Sequence, residues 1–540
     1  MTVDGGTLVC EALRREGVTH VFGLGGGHIN PTWWAIQAAP DMTLVDVRHE
    51  AAATYAAEGW ALATRRPGVC LVTAAPGVTN SITGLANARA NGSPVVCIAG
   101  AATLRGQDTG EVESLEQLEL VRSVTKWARR VYHLDRIPEY VALAFRAARS
   151  GKPGPVYLEL AIDLIHSRLD AAAEADVPPR LDDQAGGGAA AEPLVERAAA
   201  LLEGAARPAV VAGSGVWWAD ADDELRDFVE RSGIPVVTRQ AARGTIPDDH
   251  PLCFGQDWQN VCYQADVLLC VGKQLDYFFG YGRFPNAQLI QVDVNPLEIG
   301  RNRVPVRVGI VGDAKATLRQ LTDAVKPLAT DDWASHLRAQ AATIAARQAE
   351  LARSDQAPMH PLRLCLELRD LLDRDATVVA DGAFNMIWTR AAFPAFLPGR
   401  NPSMSNFGNI GYGVGFAIAA AVARPGSQVV WAVGDGSFGF HAMELDTAAR
   451  FGLPIVALVM NNRGWSGQWV PLGVRHYERL AGGFDGDGEL IERPDQIRPA
   501  LERALAASKP YIVNALVEPA AEYFGGRWLG PPAAESAPGG

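Results

Sequence analysis

The residues best suited to chemistry stand between two apolar runs in the last third of the chain. Ser427–Val433 is apolar and β-branched, which predicts a buried parallel strand, and Leu453–Met460 predicts a second one. Four residues that tolerate tight turns and close backbone approach follow the first run: Gly434, Asp435, Gly436 and Ser437. Residues beyond the turn recur at helical spacing and predict a helix: Phe440, Met443, Thr447, Ala448 and Phe451. A strand, a glycine-rich turn and a helix start together predict a phosphate site.

Oxygen-bearing side chains follow both predicted strands. The Asp435 carboxylate and the Asn462 amide leave the ends of neighbouring strands, so both can reach one cation beside the phosphate. Mg²⁺ is the expected ion because it combines one or two protein oxygens with phosphates and waters. The Gly464 carbonyl is a candidate third ligand. On these residues alone, an ordinary crossover with a surface Asp turn and an Asn cap remains the alternative.

The sequence GDG followed by NN resembles the diphosphate-and-metal motif of enzymes that depend on thiamine diphosphate (ThDP). The resemblance extends over nearly the whole chain and implies ThDP and Mg²⁺ as cofactors, held at residues 434–437 and by Asp435, Asn462 and Gly464. In this family the pyrimidine and diphosphate halves of one site come from different chains. The resemblance therefore implies a homodimer or homotetramer.

Glu50 is the candidate acid for the pyrimidine ring of ThDP. It follows a predicted strand, Thr43–His49, at the edge where α/β sheets bind ligands, although a Glu at a helix start also complements the helix dipole. The segments RHEAAA and VTAAPGVTN resemble the catalytic-glutamate region of the family, and they place Asn80 at the cofactor. The resemblance implies that Glu50 hydrogen-bonds the ring nitrogen N1′ and so favours formation of the thiazolium C2 ylide.

Two further residues are candidate cofactor contacts. The stretch GNIGYGVGFAIAAAVA resembles the family segment that bends ThDP, and it places Ile410 between the two rings; plain core packing is the other interpretation. Asn385, in ADGAFNM, is a candidate diphosphate contact or a simple turn residue.

The substrate side is where the sequence departs from much of the family. VFGLGGGHIN resembles the GxHGxHI segment of benzaldehyde lyase, which implies that His28 relays protons. Glu113 aligns with a family glutamine, with Val112 as the alternative across a one-residue gap. An acid there resembles oxalyl-CoA decarboxylase more than acetolactate synthase. This departure leaves the substrate open, because glutamine donates hydrogen bonds whereas ionised glutamate only accepts them. Trp465, in NNRGWSG, matches an aromatic position in the substrate pocket of benzaldehyde lyase.

The predicted architecture is α/β, with three doubly wound parallel-sheet domains. Strand and helix patterns alternate throughout, and a low-complexity stretch (Asp170–Ala190) separates the first two domains. The resemblance names them: a ThDP pyrimidine-binding domain (1–170), a central domain (191–345), a ThDP diphosphate-binding domain (355–525) and a C-terminal tail (526–540). The turn Gly213-Ser214-Gly215 hints at a dinucleotide site, but a Rossmann-like scaffold without nucleotide fits equally.

Charge and composition exclude several classes of partner. The formal net charge of −12 argues against nucleic acid and anionic membranes, which need a basic face. The N-terminal residues lack a basic region followed by an apolar one, and no apolar run reaches membrane-spanning length, so a cytoplasmic protein is expected. The cysteines mostly lie in apolar runs without a CxxC pair and are expected to be reduced core residues.

These observations predict a ThDP- and Mg²⁺-dependent carbon–carbon lyase or carboligase. The resemblance implies 2-hydroxyketone or 2-hydroxyacyl-CoA substrates, and an ylide and an enamine as intermediates. Within the family, a 2-oxo acid decarboxylase or an acetolactate synthase-type carboligase is the alternative. Outside it, an oxidoreductase using the Gly213 turn or a catalytically silent paralogue remains, although intact Glu50, Asp435 and Asn462 argue against the latter.

Overall fold

A computed structural model describes residues 2–106, 109–170, 188–403, 406–465, 470–519 and 521. Within these ranges the chain forms three parallel sheets flanked by helices, which confirms the predicted α/β class. The predicted tail (526–540) lies outside the described residues, as does most of the stretch between the first two domains. The domain boundaries themselves stay predictions.

The first sheet has six parallel strands. The strands of this part of the chain are β1 (Thr2–Asp4), β2 (His20–Gly23), β3 (Thr43–Asp46), β4 (Gly68–Val72), β5 (Val95–Ala101), β6 (Trp127–Val131), β7 (Val156–Ala161) and β8 (Arg168–Asp170). The sheet order is β3-β2-β4-β5-β7-β6, and β1 pairs with β8 in a separate antiparallel ribbon. The helices are α1 (Gly5–Arg15), α2 (Asn30–Ala38), α3 (Glu50–Thr64), α4 (Pro76–Asn91), α5 (Gln117–Arg122), α6 (Ile137–Arg149) and α7 (Ile162–His166).

The second sheet has five parallel strands. They are β9 (Pro208–Ala212), β10 (Val236–Thr238), β11 (Val267–Val271), β12 (Gln288–Asp293) and β13 (Val306–Val311), in the order β10-β9-β11-β12-β13. The helices are α8 (Glu192–Glu203), α9 (Ser214–Trp218), α10 (Asp222–Ser232), α11 (Trp258–Gln264), α12 (Ala314–Ala324) and α13 (Asp331–Leu351). The long helix α13 leads out of this domain toward the third sheet.

The third sheet carries the glycine-rich turn. The strands are β14 (Thr377–Asp381), β15 (Val429–Gly434), β16 (Ile455–Asn461), β17 (Gly464–Trp465), β18 (Val470–Pro471), β19 (Asp487–Ile491) and β20 (Tyr511–Leu516). The parallel sheet has the order β14-β15-β16-β20-β19, while β17 and β18 form a short antiparallel ribbon. The helices are α14 (Pro361–Arg369), α15 (Ala383–Ala392), α16 (Gly413–Ala423), α17 (Asp435–His441), α18 (Glu444–Arg450) and α19 (Ile497–Ala506).

Short 3-10 segments complete the connections. They are Leu134–Arg136, Gln240–Ala242, Tyr277–Gly282, Pro296–Glu298, Arg301–Arg303, Tyr477–Phe484 and Pro494–Gln496.

The first and third domains share one hydrophobic core. Helix α3 of the first packs directly on α16 of the third, because glycines allow their backbones to approach closely. A Cβ added at Gly59 would lie 2.8 Å from Phe416 Cα, and one at Gly415 would lie 2.7 Å from Tyr55 Cβ. The buried cluster continues from these helices into both sheets. The central domain instead has cores of its own.

Polar contacts join the central domain to its neighbours. Arg65, at the end of α3, pairs with Asp220 and Asp222. Lys152 Nζ lies 2.9 Å from Glu298 Oε1. The contacts named here are ion pairs, whereas the first and third domains share an apolar core.

The helix predicted from residues 440–451 is two helices, and the prediction of continuous helical spacing is wrong. The chain bends at Ala442–Met443, between α17 and α18. Phe440 and Met443 are 53% and 55% exposed, whereas Thr447 and Ala448 are buried. The bend breaks the register, so the spaced residues do not share one face.

The cysteine prediction is confirmed. All seven cysteines are buried and free of disulfides: Cys10, Cys70, Cys97, Cys253, Cys262, Cys270 and Cys365. Among the helices that the structure describes, none is both long enough and apolar enough to cross a membrane.

Candidate active site

The glycine-rich turn places a buried carboxylate at the start of α17. Asp435 is 3% exposed, and its Oδ2 has no hydrogen-bond partner among the described residues. Burial raises the pKa of Asp435 to about 6, although backbone N–H groups of Gly436 and Gly464 stabilise the charge. A buried carboxylate oxygen without a donor is costly to desolvate. A cation is the kind of partner that would remove this cost.

Asn462 follows the neighbouring strand, as predicted. Gly434 pairs in register with Met460, so the ends of β15 and β16 lie side by side. Asn462 is 3% exposed, and its Oδ1 accepts a hydrogen bond from Gly464 N at 3.2 Å. Oxygens from Asp435 and Asn462 are ligand types that suit Mg²⁺. The donor set and the unpartnered Asp435 oxygen therefore fit a divalent cation.

Gly434 lies beside Asn385, with room for a side-chain atom between them. A Cβ added there would have Asn385 Nδ2 as its nearest neighbour, at an ordinary contact distance of 3.7 Å. Asn385 is fully buried, with its Nδ2 donating to Asp381 O and its Oδ1 unpartnered in the described structure. Ser437 is buried, and its side chain hydrogen-bonds the carboxylate of Asp381. Ser437 is therefore a hydrogen-bond partner of Asp381, a contact that the sequence did not predict.

Ile410 lies in a loop in which both neighbouring residues are hydrogen-bonded to other parts of the chain. Asn409 Nδ2 donates to Tyr55 Oη at 3.1 Å, and Gly411 N donates to Asp381 Oδ1 at 2.9 Å. Ile410 itself is partly exposed. The loop therefore presents Ile410 while its neighbours hold the backbone, an arrangement that a wedge between cofactor rings requires.

Glu50 is the first residue of α3 and lies at the carboxyl end of β3. It is 6% exposed, and its Oε2 accepts a hydrogen bond from Asn80 Nδ2 at 3.0 Å. His49 Nδ1 caps the helix by accepting from Ala51 N at 3.1 Å. Gly77 lies against the other carboxylate oxygen, since its Cβ would be 3.6 Å from Glu50 Oε1. Glu50 and Asn80, both predicted as cofactor residues, are thus in contact.

His28 and Glu113 meet on the same edge of the first sheet. His28 Nδ1 lies 2.9 Å from Glu113 Oε2, within ion-pair distance although without hydrogen-bond geometry. Thr73 Oγ1 donates to the same carboxylate oxygen at 3.1 Å. Glu113 adopts a left-handed backbone (φ 58), a conformation often retained at functional sites, whereas Val112 is 74% exposed. Of the two alternatives at this position, Glu113 is the one in contact with His28.

Gly77 connects these groups to Glu50. A Cβ at Gly77 would lie 3.0 Å from Thr73 Cγ2, on the side opposite the Glu50 contact. Thr73 in turn holds Glu113. The acid, the histidine and the second acid are therefore neighbours along one sheet edge.

Trp465 packs over the glycine-rich turn. Its ring would lie 3.1 Å from a Cβ at Gly436, and it meets the ring of Phe440 edge-on at 6.1 Å. It is only partly buried. An aromatic wall beside the turn fits the predicted pocket position.

Sequence reasoning missed three buried residues around the site. Asp381 accepts from the backbone N–H groups of Gly411 and Gly413, and burial raises its pKa to about 6. Gln117 accepts from Ala75 N at 2.5 Å, just before the helix that carries Asn80. Glu444 binds the backbone N–H of Arg48. Their partners are distant in sequence, so local patterns give no signal for them.

His441 is the last residue of α17. Its ring lies 5.3 Å from that of His49 and 5.8 Å from that of Tyr55, where the first and third domains meet. Burial, and then the nearby His49, lower the pKa of His441 to about 4. His441 is therefore neutral at pH 7 and serves as packing.

Comparison with known families identifies three matching stretches. The thiamine pyrophosphate enzyme N-terminal TPP binding domain matches residues 3–120, and the central domain of such enzymes matches residues 195–321. The C-terminal TPP binding domain matches residues 381–515. The first stretch contains Glu50 and Asn80, and the last contains Asp435 and Asn462.

Curated relatives match along nearly their whole length. The chain is 35% identical to the acetolactate synthase large subunit of Mycobacterium tuberculosis, over 97% of both chains. It is 30% identical to human 2-hydroxyacyl-CoA lyase 1 and 31% identical to oxalyl-CoA decarboxylase of Escherichia coli strain K12, each over 96% of this chain and 95% of the relative. The chain belongs to the thiamine pyrophosphate enzyme family, and thiamine diphosphate is its cofactor.

Proposed function

We propose that this protein is a ThDP- and Mg²⁺-dependent carbon–carbon lyase or carboligase that acts on 2-hydroxyketones or 2-hydroxyacyl-CoA thioesters. The proposal rests mainly on the His28–Glu113 pair, which lies beside Glu50 on one sheet edge. Relatives named as 2-hydroxyacyl-CoA lyase and oxalyl-CoA decarboxylase support the class and make an acyl-CoA a candidate substrate.

The third domain would hold the charged end of the cofactor. Asp435, Asn462 and the Gly464 carbonyl would bind Mg²⁺, which is supported by the unpartnered Asp435 oxygen. Asn385 Oδ1, also unpartnered among the described residues, would contact the diphosphate side. Bound ThDP supplies a nucleophilic carbon for the substrate carbonyl and an electron sink for cleavage of the adjacent bond.

The first domain would supply proton transfer. Glu50 would hydrogen-bond the pyrimidine ring, and the Asn80 amide keeps the Glu50 carboxylate oriented. His28 would give and take the proton of the substrate oxygen, because an imidazole ring nitrogen can act as a donor or as an acceptor. Glu113 would hold the His28 ring in place, and Thr73 hydrogen-bonds Glu113. Trp465 would line the pocket on the side of the third domain.

The charge of Glu113 supports neutral carbonyl substrates over 2-oxo acids. A substrate carboxylate close to this acid would meet a like charge in a partly buried site, where repulsion is only partly screened. A 2-hydroxyketone or a 2-hydroxyacyl-CoA thioester carries no such charge at the reacting carbonyl, whereas an oxalyl thioester does.

The active sites would be shared between subunits of a homodimer or homotetramer. The segment before Glu50 contacts His441 at the C-terminal end of α17, whereas Asp435 is the first residue of that helix. A seven-residue helix is about 10 Å long, so the His49–His441 contact lies about that far from Asp435. Exposed Phe440, Met443 and Phe407 near the turn are apolar surface that a second chain would cover.

A 2-oxo acid decarboxylase or acetolactate synthase-type carboligase is the second candidate. The observation in its favour is the 35% identity to an acetolactate synthase large subunit. The two candidates differ in whether the substrate brings a carboxylate to Glu113.

A substrate screen with holoenzyme separates the candidates. Purified protein with ThDP and Mg²⁺ is given a 2-hydroxyketone, a 2-hydroxyacyl-CoA or pyruvate, and release of aldehyde or CO₂ is measured. We expect aldehyde release to exceed CO₂ release by at least tenfold in kcat/KM. Glu113→Gln should shift this ratio toward pyruvate by removing the like charge. Faster CO₂ release in the wild-type protein would overturn the proposal in favour of the second candidate.

Glu50→Gln tests the role of the acid. The variant should bind ThDP but lose turnover by two or more orders of magnitude, because an amide cannot share a proton with the ring nitrogen. Cofactor affinity is measured by calorimetry and turnover with the best substrate of the screen. A near-normal rate would remove Glu50 from the reaction.

A further inference from the structure

The backbone immediately before Glu50 is bound by a helix from another domain. Arg48 N donates to Glu444 Oε1 at 3.0 Å and to Oε2 at 3.1 Å. The backbone N–H of His49 also stabilises the Glu444 carboxylate. Glu444 opens α18 of the third domain, whereas Arg48 and His49 lead into α3 of the first. One carboxylate thus holds both residues that precede the proposed acid.

Glu444 is built into this position. It is 1% exposed, and Thr447 Oγ1 donates to its Oε2 at 2.7 Å. Burial raises the pKa of Glu444 to about 7, while Thr447 and the two backbone N–H groups act in the opposite direction. A carboxyl this deeply buried is costly unless its hydrogen bonds are used. Apart from the Thr447 hydroxyl, the partners named here are backbone N–H groups of the segment between β3 and α3.

Arg450, at the other end of α18, binds the start of the same loop. Its Nη2 donates to Asp46 O at 2.7 Å, and its Nη1 donates to Asp46 Oδ2 at 3.2 Å. Residues 46–49, which we call the acid-bearing loop, are therefore held at both ends by one helix. Position 50 follows this loop directly, so a displacement of the loop moves the Glu50 carboxylate.

The other charged and titratable groups around Glu444 do not replace it. Arg48 Nε lies 3.7 Å from Asp446 Oδ2 at the protein surface. His49 uses its Nδ1 to cap α3, and the half-buried His441 is neutral at pH 7. These groups neighbour the acid-bearing loop, but the bonds to the Arg48 N–H come from Glu444.

We propose that Glu444 is a positioning residue that sets the place of the Glu50 carboxylate through the backbone of Arg48 and His49. The inference rests on the proposed role of Glu50 at the pyrimidine ring. Reacting groups tolerate little misplacement, and a shift of about 1 Å can cost two orders of magnitude in rate. Asn80 hydrogen-bonds the side chain of Glu50, and Glu444 hydrogen-bonds the backbone of the residues that lead to Glu50.

The test uses proton exchange at C2 of bound ThDP, which needs no substrate. Holoenzymes of the wild type, Glu444→Ala, Glu444→Gln and Glu50→Gln are mixed with D₂O, quenched, and the C2 proton is counted by NMR. We expect Glu444→Ala to slow exchange at least tenfold, with ThDP affinity changed less than threefold. Glu444→Gln, which keeps one acceptor oxygen, should recover part of the rate. Amide exchange at Arg48 and His49 should accelerate at least tenfold in Glu444→Ala.

Glu489→Gln is the matched control. Glu489 is a carboxylate of the same domain that accepts from Arg503 and Tyr511, away from the acid-bearing loop. This variant should leave C2 exchange unchanged. If Glu50→Gln slows exchange but both Glu444 variants match the wild type, the positioning role is overturned. If Glu50→Gln itself has no effect, the proposed function of Glu50 fails instead. Should Glu444→Ala not fold, Glu444→Gln decides alone: a rate equal to that of the wild type refutes the proposal.

Discussion

Two glycine-rich turns in this protein have the same spacing and different surroundings. Gly213-Ser214-Gly215 follows β9 of the central domain, and Gly434-Asp435-Gly436 follows β15 of the third. In the central turn a Cβ at Gly213 would lie 2.5 Å from Gly272 O, and one at Gly215 would lie 2.6 Å from Gly272 Cα. Backbone packing between strand ends is therefore a sufficient reason for glycine there.

In the turn of the third domain, packing does not require glycine at the first position. A Cβ at Gly434 would meet nothing closer than 3.7 Å. Buried Asp435 Oδ2 and Asn385 Oδ1 lie beside it without partners among the described residues. The comparison teaches that glycine spacing alone does not distinguish a ligand site from a packing contact, whereas unpartnered buried oxygens next to free space do.

The strongest test of this comparison replaces the middle residue of each turn. Asp435→Ala should lower the affinity for ThDP with Mg²⁺ by at least 100-fold, because it removes the proposed metal ligand. Ser214→Ala in the central turn should leave that affinity unchanged. Calorimetric titration of both variants with ThDP and Mg²⁺ measures the difference. Tight binding by Asp435→Ala would refute the metal assignment.

The second test adds a methyl group to the first glycine of each turn. Both glycines have extended backbone angles open to alanine (φ −109 at Gly213 and φ −77 at Gly434), so only packing is changed. Gly213→Ala should lower the free energy of unfolding by about 1–3 kcal/mol through overpacking. Gly434→Ala should stay within about 0.5 kcal/mol of the wild type but bind ThDP more weakly. Urea unfolding of the apo proteins measures the stabilities.

The outcome of that test has two parts. Equal loss of stability in both variants would mean that Gly434 is also a packing glycine. Weaker ThDP binding by Gly213→Ala, beyond its loss of stability, would instead make the central turn part of a ligand site.

The smallest effect concerns a buried acid of the central domain. Asp257 Oδ2 is unpartnered among the described residues, and burial raises the pKa of Asp257 to about 6. A raised pKa means that folding favours the protonated form, so stability present below pH 4 is lost as the pH rises through 6. Asp257→Asn, which can still accept from Asn260, should therefore be more stable than the wild type at pH 7 by about 1–2 kcal/mol.

The same measurement at pH 4 is its control. There the folded carboxyl is protonated and the unfolded one is only partly ionised, so most of the charge effect is gone and the two proteins should unfold at nearly the same denaturant concentration. A difference as large at pH 4 as at pH 7 would show that Asp257→Asn acts through packing rather than charge.

The sequence predicts the sheets well because buried parallel strands are continuous apolar runs. The apolar run Val156–Ala161 forms β7, and the predicted strand Leu453–Met460 differs from β16 by a few residues. The start of α3 at Glu50 was also predictable, since Glu50 follows directly on the run that forms β3. Asp435 and Asn462 could be paired because neighbouring parallel strands end at one edge.

Residues that act over long sequence distances were not predictable in this way. Glu444 binds the backbone of Arg48, 396 residues away, and its own neighbours form an ordinary amphipathic pattern. The break between α17 and α18 was also not predictable, because no glycine or proline stands at Ala442–Met443. His28 and Glu113 were each identified by a family resemblance, and their contact was not predicted, because nothing in the spacing of the two residues relates them.

The glycine-mediated contact of α3 with α16 has a consequence for motion. Two helices whose backbones touch, within a single continuous core, leave no space for a hinge between the first and third domains. Any opening that admits a bulky substrate must then come from surface loops or from the central domain, which ion pairs join to the first domain. A bulky residue at position 59 or 415 would push α3 and α16 apart and so separate the first and third domains.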